Sequence, residues 1–260
     1  MKRTLTLMIL CLAVAVTALA QQKPADQGAK PPDQTMKPAA AMPTVDQILD
    51  KYVQALGGKA TIEKFTSSAS KGSFEIPTFG ASGTAEIWEK APNKTALRLD
   101  IPGFGIVQEG FNGTVAWSQD PQSGFREKTG AELATTKLDA DFYKPIRLKQ
   151  LYPKITVKGK DKIGDKDVYV LEAAPAEGSP ETWYFDAASG LLSRMDIERE
   201  SPQGKMAVQV FTEDYKDVDG MKVPHTVRQV TPAFTIIIKV DEVKHNVPID
   251  ESKFNKPAAQ

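Results

Sequence analysis

A two-residue rhythm constrains this chain more than any other feature. In "LLSRMDIERE" (Leu191–Glu200), Leu191, Ser193, Met195 and Ile197 share one side, and Leu192, Arg194, Asp196 and Glu198 share the other. Phe234, Ile236, Ile238 and Val240 alternate with Thr235, Ile237, Lys239 and Asp241, and Leu97, Leu99 and Ile101 alternate with Ala96, Arg98 and Asp100. Period two sends successive side chains to opposite faces of a sheet. One apolar and one mostly solvated face is the antiparallel pattern. Turn signals recur from Ser68 onward at Pro92-Asn93, Asn112-Gly113, Gly164-Asp165, Ser189-Gly190, Pro202-Gln203-Gly204 and Asp219-Gly220. That spacing fits consecutive antiparallel strands. Asn112-Gly113 and Asp219-Gly220 read as two-residue hairpin turns, whose central residues both need positive φ.

So much apolar surface on one side of a sheet needs a cover. Two segments offer one. Val45, Ile48, Leu49, Tyr52, Val53 and Leu56 form a helical stripe between Thr44, a good N-cap, and Gly57, a good stop. A short second helix is expected over Ala60–Phe65. Further on, "LDADFYKPIRLKQLYPKI" (Leu138–Ile155) brings Phe142, Tyr143, Ile146, Leu148, Leu151 and Tyr152 to mixed helical spacing, with Pro145 suited to a first turn and Pro153 to a stop. The expected fold is mainly β (α+β): a curved antiparallel sheet with helices against its concave face.

The N-terminus reads as a cleavable secretory signal over residues 1–20. Lys2 and Arg3 precede an apolar run from Leu5 to Leu19, and Ala18-Leu19-Ala20 is a small-x-small cleavage site before Gln21. Cys11, the only cysteine, follows Met8-Ile9-Leu10, which lacks the small residue of a lipidation box. Cleavage leaves a chain without disulfides or thiols, which must stand on its core. Residues 21–43 are rich in Pro, Ala, Gln and Lys and read as a flexible tether. Residues 44–257 remain for a single domain. The signal takes two of 33 basic residues, against 33 acidic ones, and no basic stripe suggests nucleic acid. No second apolar stretch is long enough to insert stably in a membrane. These features together point to a periplasmic protein.

No catalytic constellation stands out. His225 and His245 belong to no H-E-x-x-H or H-x-H pattern. Asp241, Glu242 and His245 read as solvated strand-end polar groups, since no metal-ligand spacing relates them. "FGASGT" (Phe79–Thr84) lacks the spacing of a nucleophile elbow, and "PGFGIV" lacks the third glycine and the Lys-Ser/Thr of phosphate loops. No cofactor and no metal are expected.

Five strings carry a family resemblance: "ILDKYVQALGG" (Ile48–Gly58), "FYKPIRLKQLYPKITVKGKDKIGDKDVYVLEA" (Phe142–Ala173), "WYFDAASGLLSRM" (Trp183–Met195), "DGMKVPHTV" (Asp219–Val227) and "NVPIDESKF" (Asn246–Phe254). In their order along one exported chain they resemble the outer-membrane lipoprotein carrier (LolA/LolB-like) superfamily, in its outer membrane lipoprotein-sorting protein branch. The resemblance implies an incomplete barrel of about eleven strands, lidded by helices, with an apolar cavity for acyl chains. It implies a non-enzymatic monomeric carrier or chaperone for lipid or lipoprotein acyl chains, without cofactor. A sensor module of the same fold that binds an envelope protein is the alternative, and a hydrolase is the third reading. In the true carrier a basic side chain on a strand holds the lid closed. Arg98, between Leu97 and Leu99, is the position to examine for that role. "IPGFGIV" (Ile101–Val107) reads either as a simple turn or as a protruding apolar loop like that of the receptor member.

The expected cavity and lid residues are Trp88, Leu97, Arg98, Leu99, Trp117, Phe142, Ile146, Leu151, Trp183, Phe185, Met195, Ile236 and Ile238. The three tryptophans sit on separate strands, where they are either an acyl-contact wall or ordinary core. Phase across the Asp186–Gly190 turn puts Trp183, Phe185, Leu191, Met195 and Ile197 on one face.

Overall fold

The computed structural model describes residues 41–201 and 204–257, so the expected signal peptide and most of the expected tether lie outside the described residues. Helices α1 (Val45–Ala55) and α2 (Lys59–Ile62) lead into strands β1 (Ser67–Ile76), β2 (Ala81–Lys90), β3 (Lys94–Ile101), β4 (Gly105–Phe111), β5 (Ala116–Asp120) and β6 (Gly124–Glu127). Helices α3 (Gly130–Asp139) and α4 (Lys144–Leu151) follow. The chain ends with β7 (Lys154–Ile163), β8 (Lys166–Ala174), β9 (Glu181–Asp186), β10 (Leu192–Ser201), β11 (Gly204–Val218), β12 (Met221–Val230) and β13 (Thr235–His245). All thirteen strands form one antiparallel sheet in the order β6-β5-β4-β3-β2-β1-β13-β12-β11-β10-β9-β8-β7.

Local chemistry explains the first helix and most turns. Thr44 caps α1 in a capping box with Gln47, and Ile48, Leu49 and Tyr52 are its buried stripe. Asp219 (φ 55°) and Gly220 (φ 85°) both take left-handed backbone between β11 and β12, as a two-residue hairpin requires. The β4–β5 connection differs from expectation. Gly113 alone has positive φ there, and the Asn112 side chain accepts N–H bonds from Thr114 and Val115, which makes the turn longer.

The sheet is rolled. β4 and β10 stand seven strands apart, about 34 Å if the sheet were flat. Yet Glu109 of β4 and Arg199 of β10 line one cavity of about 300 Å³. Register shifts interrupt the ladders at Lys71/Gly72, Leu192/Arg194 and Val157/Gly159, and such bulges bend strands. Gly72 marks the first: a Cβ there would lie 1.9 Å from the Lys239 carbonyl oxygen. The bend therefore depends on a position where only glycine fits.

The inner face is the one bearing Trp183, Met195, Val210, Ile238, Phe74 and Leu99, as strand pairing carries one phase across the sheet. Helix α1, α2 and α4 residues pack on β8–β10 around Leu171, Trp183 and Phe185. Glu181, buried on the inner face, accepts hydrogen bonds from the Tyr152 hydroxyl (2.9 Å) and Trp183 Nε1 (2.8 Å). The outer face carries an arginine–aromatic ladder. Arg194 stacks over Tyr184 at 4.1 Å, and Arg228 over Phe211 at 3.9 Å. The ladder is tied by Asp196 and Glu213, which pair with Arg194 and Arg228.

Gly72→Ala should cost about 1–3 kcal/mol in urea unfolding, because a packed backbone must shift. Ser73→Ala, one residue along on the opposite face, should stay within about 0.5 kcal/mol. Equal effects would show that the close approach at Gly72 does not hold the bend.

Candidate functional site

The inner wall divides into a helix-covered third and an uncovered remainder. Under α1 and α4 lies an apolar cavity of about 160 Å³, lined by Tyr52, Lys144, Pro145, Leu148, Trp183, Phe185, Leu192 and Met195. An apolar cavity of about 150 Å³ is large enough to hold benzene. Met195 also packs on a second cluster around Ile197, Val208 and Val210, with Val227 at its margin. Val227 pairs with Ile238, which opens a third cluster of Phe74, Ala85 and Leu99. Leu97, Ile101, Val107, Ile236 and Val240 surround that cluster half-buried. Among the described residues no apolar helix residue packs on the second or third cluster. The result is a continuous apolar trough whose floor, at Phe74, Leu99, Ile238, Val208 and Val210, is buried and whose margins are half-buried.

Helix α3 crosses this trough and is held there by polar contacts. It contributes no buried side chain. Leu133 rests on Phe111 and Ala116, Glu132 takes a two-pronged bond from Arg126 (2.7 and 2.8 Å), and Asp139 takes Arg199 of β10 (2.6 Å) and Lys144 of α4 (2.8 Å). The 300 Å³ cavity beneath α3 is correspondingly polar, with Glu109, Lys128 and Thr136 on its walls and Leu97 joining it to the trough. Burial opposes ionisation of Asp139, but the Lys144 ammonium and Arg199 guanidinium prevail and hold its carboxyl below the usual carboxylate range. On β2, Glu89 points to the inner face.

Ten of the thirteen expected residues lie on the helix side of the sheet. Trp183, Phe185 and Met195 line the apolar cavity, and Ile146 and Leu151 pack around it. Leu97, Leu99, Ile236 and Ile238 form the trough. Phe142 sits at the α3–α4 junction, edge-on to Tyr143, with its N–H bonded to the Pro92 carbonyl. The other three are elsewhere. Trp88, Arg98 and Trp117 face outward, one residue out of phase with Ile87, Leu97 and Ala116. There Lys253 lies over Trp88 (4.3 Å), and Trp117 Nε1 donates to the Phe254 carbonyl (2.9 Å). Phe254 is fully buried, so the C-terminal segment acts as a strap on the outer face. Arg98 pairs with Asp100 and Glu86 on its own face and touches no helix. The basic strand residues that grip α3 are Arg199 and Arg126.

Two more expectations need correction. A bulge after Leu192 brings Leu192 as well as Leu191 against the core, so the phase across the Asp186–Gly190 turn is not the simple one. Helix α3 carries only Leu133 and Leu138 as large apolar residues, too sparse a stripe to be found by periodicity. As for the histidines, His225 is buried and bonded to the Val223 carbonyl, and His245 stacks on Phe65 (4.0 Å) with Asp219 on its Nδ1 (3.0 Å). Among the described residues no group of three His, Cys, Asp or Glu is placed to hold a metal ion.

No protein-family model matches the sequence, and no curated protein matches it. Solved structures do. A DUF1329 family protein from Desulfovibrio piger is 14% identical, with a TM-score of 0.56 over 82% of this chain and 98% of its own. A LolA superfamily protein from Nitrosomonas europaea is 13% identical, with a TM-score of 0.54 over 83% of this chain and 99% of its own. At these identities the likeness is one of architecture: the chain has the LolA-like fold, a curved open antiparallel sheet with few helices.

Proposed function

We propose that this protein binds the acyl chains of a lipid or lipoprotein in the trough and acts as a non-enzymatic carrier in the bacterial periplasm. The observation that carries the reading is the apolar inner wall, continuous from the Trp183 cavity to Leu99, on whose second and third clusters no helix of the described residues packs. An extended apolar face without a helix cover suits an apolar occupant. The LolA-like fold and the resemblance of the sequence support the same reading.

The lid fits a reversible binder. The Arg199–Asp139 pair is a third exposed on both sides, and such pairs contribute about 0.2–1 kcal/mol. Each methylene moved from water to an apolar wall gains about 0.8 kcal/mol. One or two methylenes therefore outweigh that pair, and a full acyl chain also exceeds the Arg126–Glu132 pair and the Leu133 contact that hold α3, so it can displace the helix without unfolding the sheet.

The full chain, recovered from a bacterial envelope extract and examined by native mass spectrometry, should carry lipid or lipopeptide that solvent extraction removes. An empty protein that also refuses a fluorescent fatty acid would sink the carrier reading and favour a module that binds a protein partner. Binding of the fatty acid should change tryptophan emission. Trp183→Phe should abolish that change and Trp88→Phe should preserve it.

Arg199→Ala should free α3, raising hydrogen exchange over residues 130–139 and speeding fatty-acid entry several-fold. Arg98→Ala should change neither. The sign of the pH effect follows from the depressed Asp139 carboxyl: the pair is intact above the ordinary carboxylate pKa of about 3.9 and is lost only as pH falls through the lower folded value. Fatty-acid entry should therefore be unchanged between about pH 5 and 8 as far as this pair controls it. A threefold acceleration at pH 5 that Arg199→Ala leaves intact would assign the gate to another group.

A further inference from the structure

Four hairpin turns at one end of the sheet repeat a pattern: a proline, then a phenylalanine two to four residues on. They are "IPTFG" between β1 and β2, "IPGFG" between β3 and β4, "DPQSGF" between β5 and β6, and "TPAF" between β12 and β13. Strand direction and order make them successive hairpins along one rim. The only formal charge in the four is Asp120, whose carboxylate is turned onto the N–H groups of Gln122 and Ser123. Among the described residues the exposed large hydrophobics are Met42, Phe79, Phe104, Ile106 and Phe125, and all but Met42 lie in or beside these turns. Phe79 is 66% exposed. Neighbouring tips touch: the Phe79 and Phe234 rings are 5.9 Å apart, and Gly105 faces Pro121.

The opposite end is different. Helices α1 and α2 and the α3–α4 junction attach there, through Leu56 to Lys222, Thr61 to Gly220 and Phe142 to Pro92. The aromatic rim thus lies opposite the end where these helix contacts are made. Its inner wall runs directly into the turns, since Ile76, Ile101 and Ile236 flank them.

We propose that this rim docks on a lipid bilayer, with the phenylalanines of the turns seated among the acyl chains just below the headgroups. The occupant follows from the chemistry of the tips. A stable protein partner needs about 800 Å² of contiguous complementary surface on each side, with polar groups that fix its register. Here the tips offer a row of phenylalanines with one formal charge, already bonded to backbone N–H groups, and few side-chain donors (Thr78, Gln122, Ser123 and Thr231). A fluid interface accepts separate aromatic tips without shape matching. The four turns carry one formal charge, Asp120, tied to backbone N–H groups, so an anionic headgroup is not required, and neutral lipid suffices. Docking sets this end of the trough against the bilayer, which gives an acyl chain a path that avoids water. The proposal goes beyond cargo binding and does not depend on it.

The test is sedimentation of the full chain with unilamellar phosphatidylcholine vesicles, in parallel with fatty-acid binding in the absence of vesicles. The wild type should sediment with vesicles equally at 0.1 and about 1 M salt, because screening acts only on charge. The triple variant Phe79→Asp/Phe104→Asp/Phe125→Asp should lose at least about tenfold in vesicle affinity while binding fatty acid unchanged. Each single Phe→Ser variant, at an exposed site that leaves the fold intact, should lose a smaller factor. Wild type left in the supernatant, a triple variant that sediments equally well, or binding abolished by salt would overturn the proposal. So would self-association in the ultracentrifuge that the triple variant removes without vesicle binding, which would assign the rim to a second copy. If vesicles bind and fatty acid does not, the carrier reading fails and the docking rim stands.

Discussion

The pairing of β1 with β13 determines the rest of the molecule. It joins the first strand to the last, so that each half of the chain meanders outward and ends at an edge. β6 and β7, consecutive in sequence, are thereby the two edges of the sheet. Laid flat they would be about 58 Å apart. The segment between them is mostly α3 and α4, eighteen helical residues spanning about 27 Å. Only a rolled sheet lets so short a connection close, and once it closes the helices must cross the hollow of the roll. Curvature, hollow and lid are therefore one consequence of chain order.

This view explains which parts were legible in the sequence. Alternation depends on burial of one face, so Leu97, Leu99, Ile101, Ile236 and Ile238 were assigned correctly to one wall. Thr44 and Gly57 bound α1 because capping is local chemistry. What alternation cannot reveal is which apolar face a partly polar strand turns inward. Trp88 and Trp117 look like core from their size, yet the C-terminal strap gives them an outer shelter. Their burial comes from residues more than a hundred positions away. The Leu192 bulge and the Arg199–Asp139 pair are likewise products of tertiary contact. Helix α3 was invisible because a helix held by ion pairs needs no apolar stripe.

The two faces divide the mechanical work. The outer face is cross-linked along the strands by Tyr184, Arg194, Phe211 and Arg228, with Asp196 and Glu213 pinning the guanidinium groups. Stacked cations over rings combine dispersion with electrostatic attraction, and adjacent rungs reinforce one another. The inner face has few such ties and is held by apolar packing, buried at its centre and half-buried at its margins. The shape of the hollow is thus maintained from outside, and an unfilled interior does not collapse the wall.

That division has an evolutionary consequence. In an ordinary core a change of one methylene is felt by every neighbour, so side-chain size is locked to stability. Along this trough, residues such as Ile101, Val107, Ile236 and Val240 are half-buried at the margin of their cluster. Exchanging one aliphatic for another there alters the bore of the channel while the outer ladder keeps the strands in register. Side-chain size there can then drift between lineages without a compensating change elsewhere. Sequences diverge widely on one architecture for this reason, and the low identities to structures of the same shape are in keeping with it.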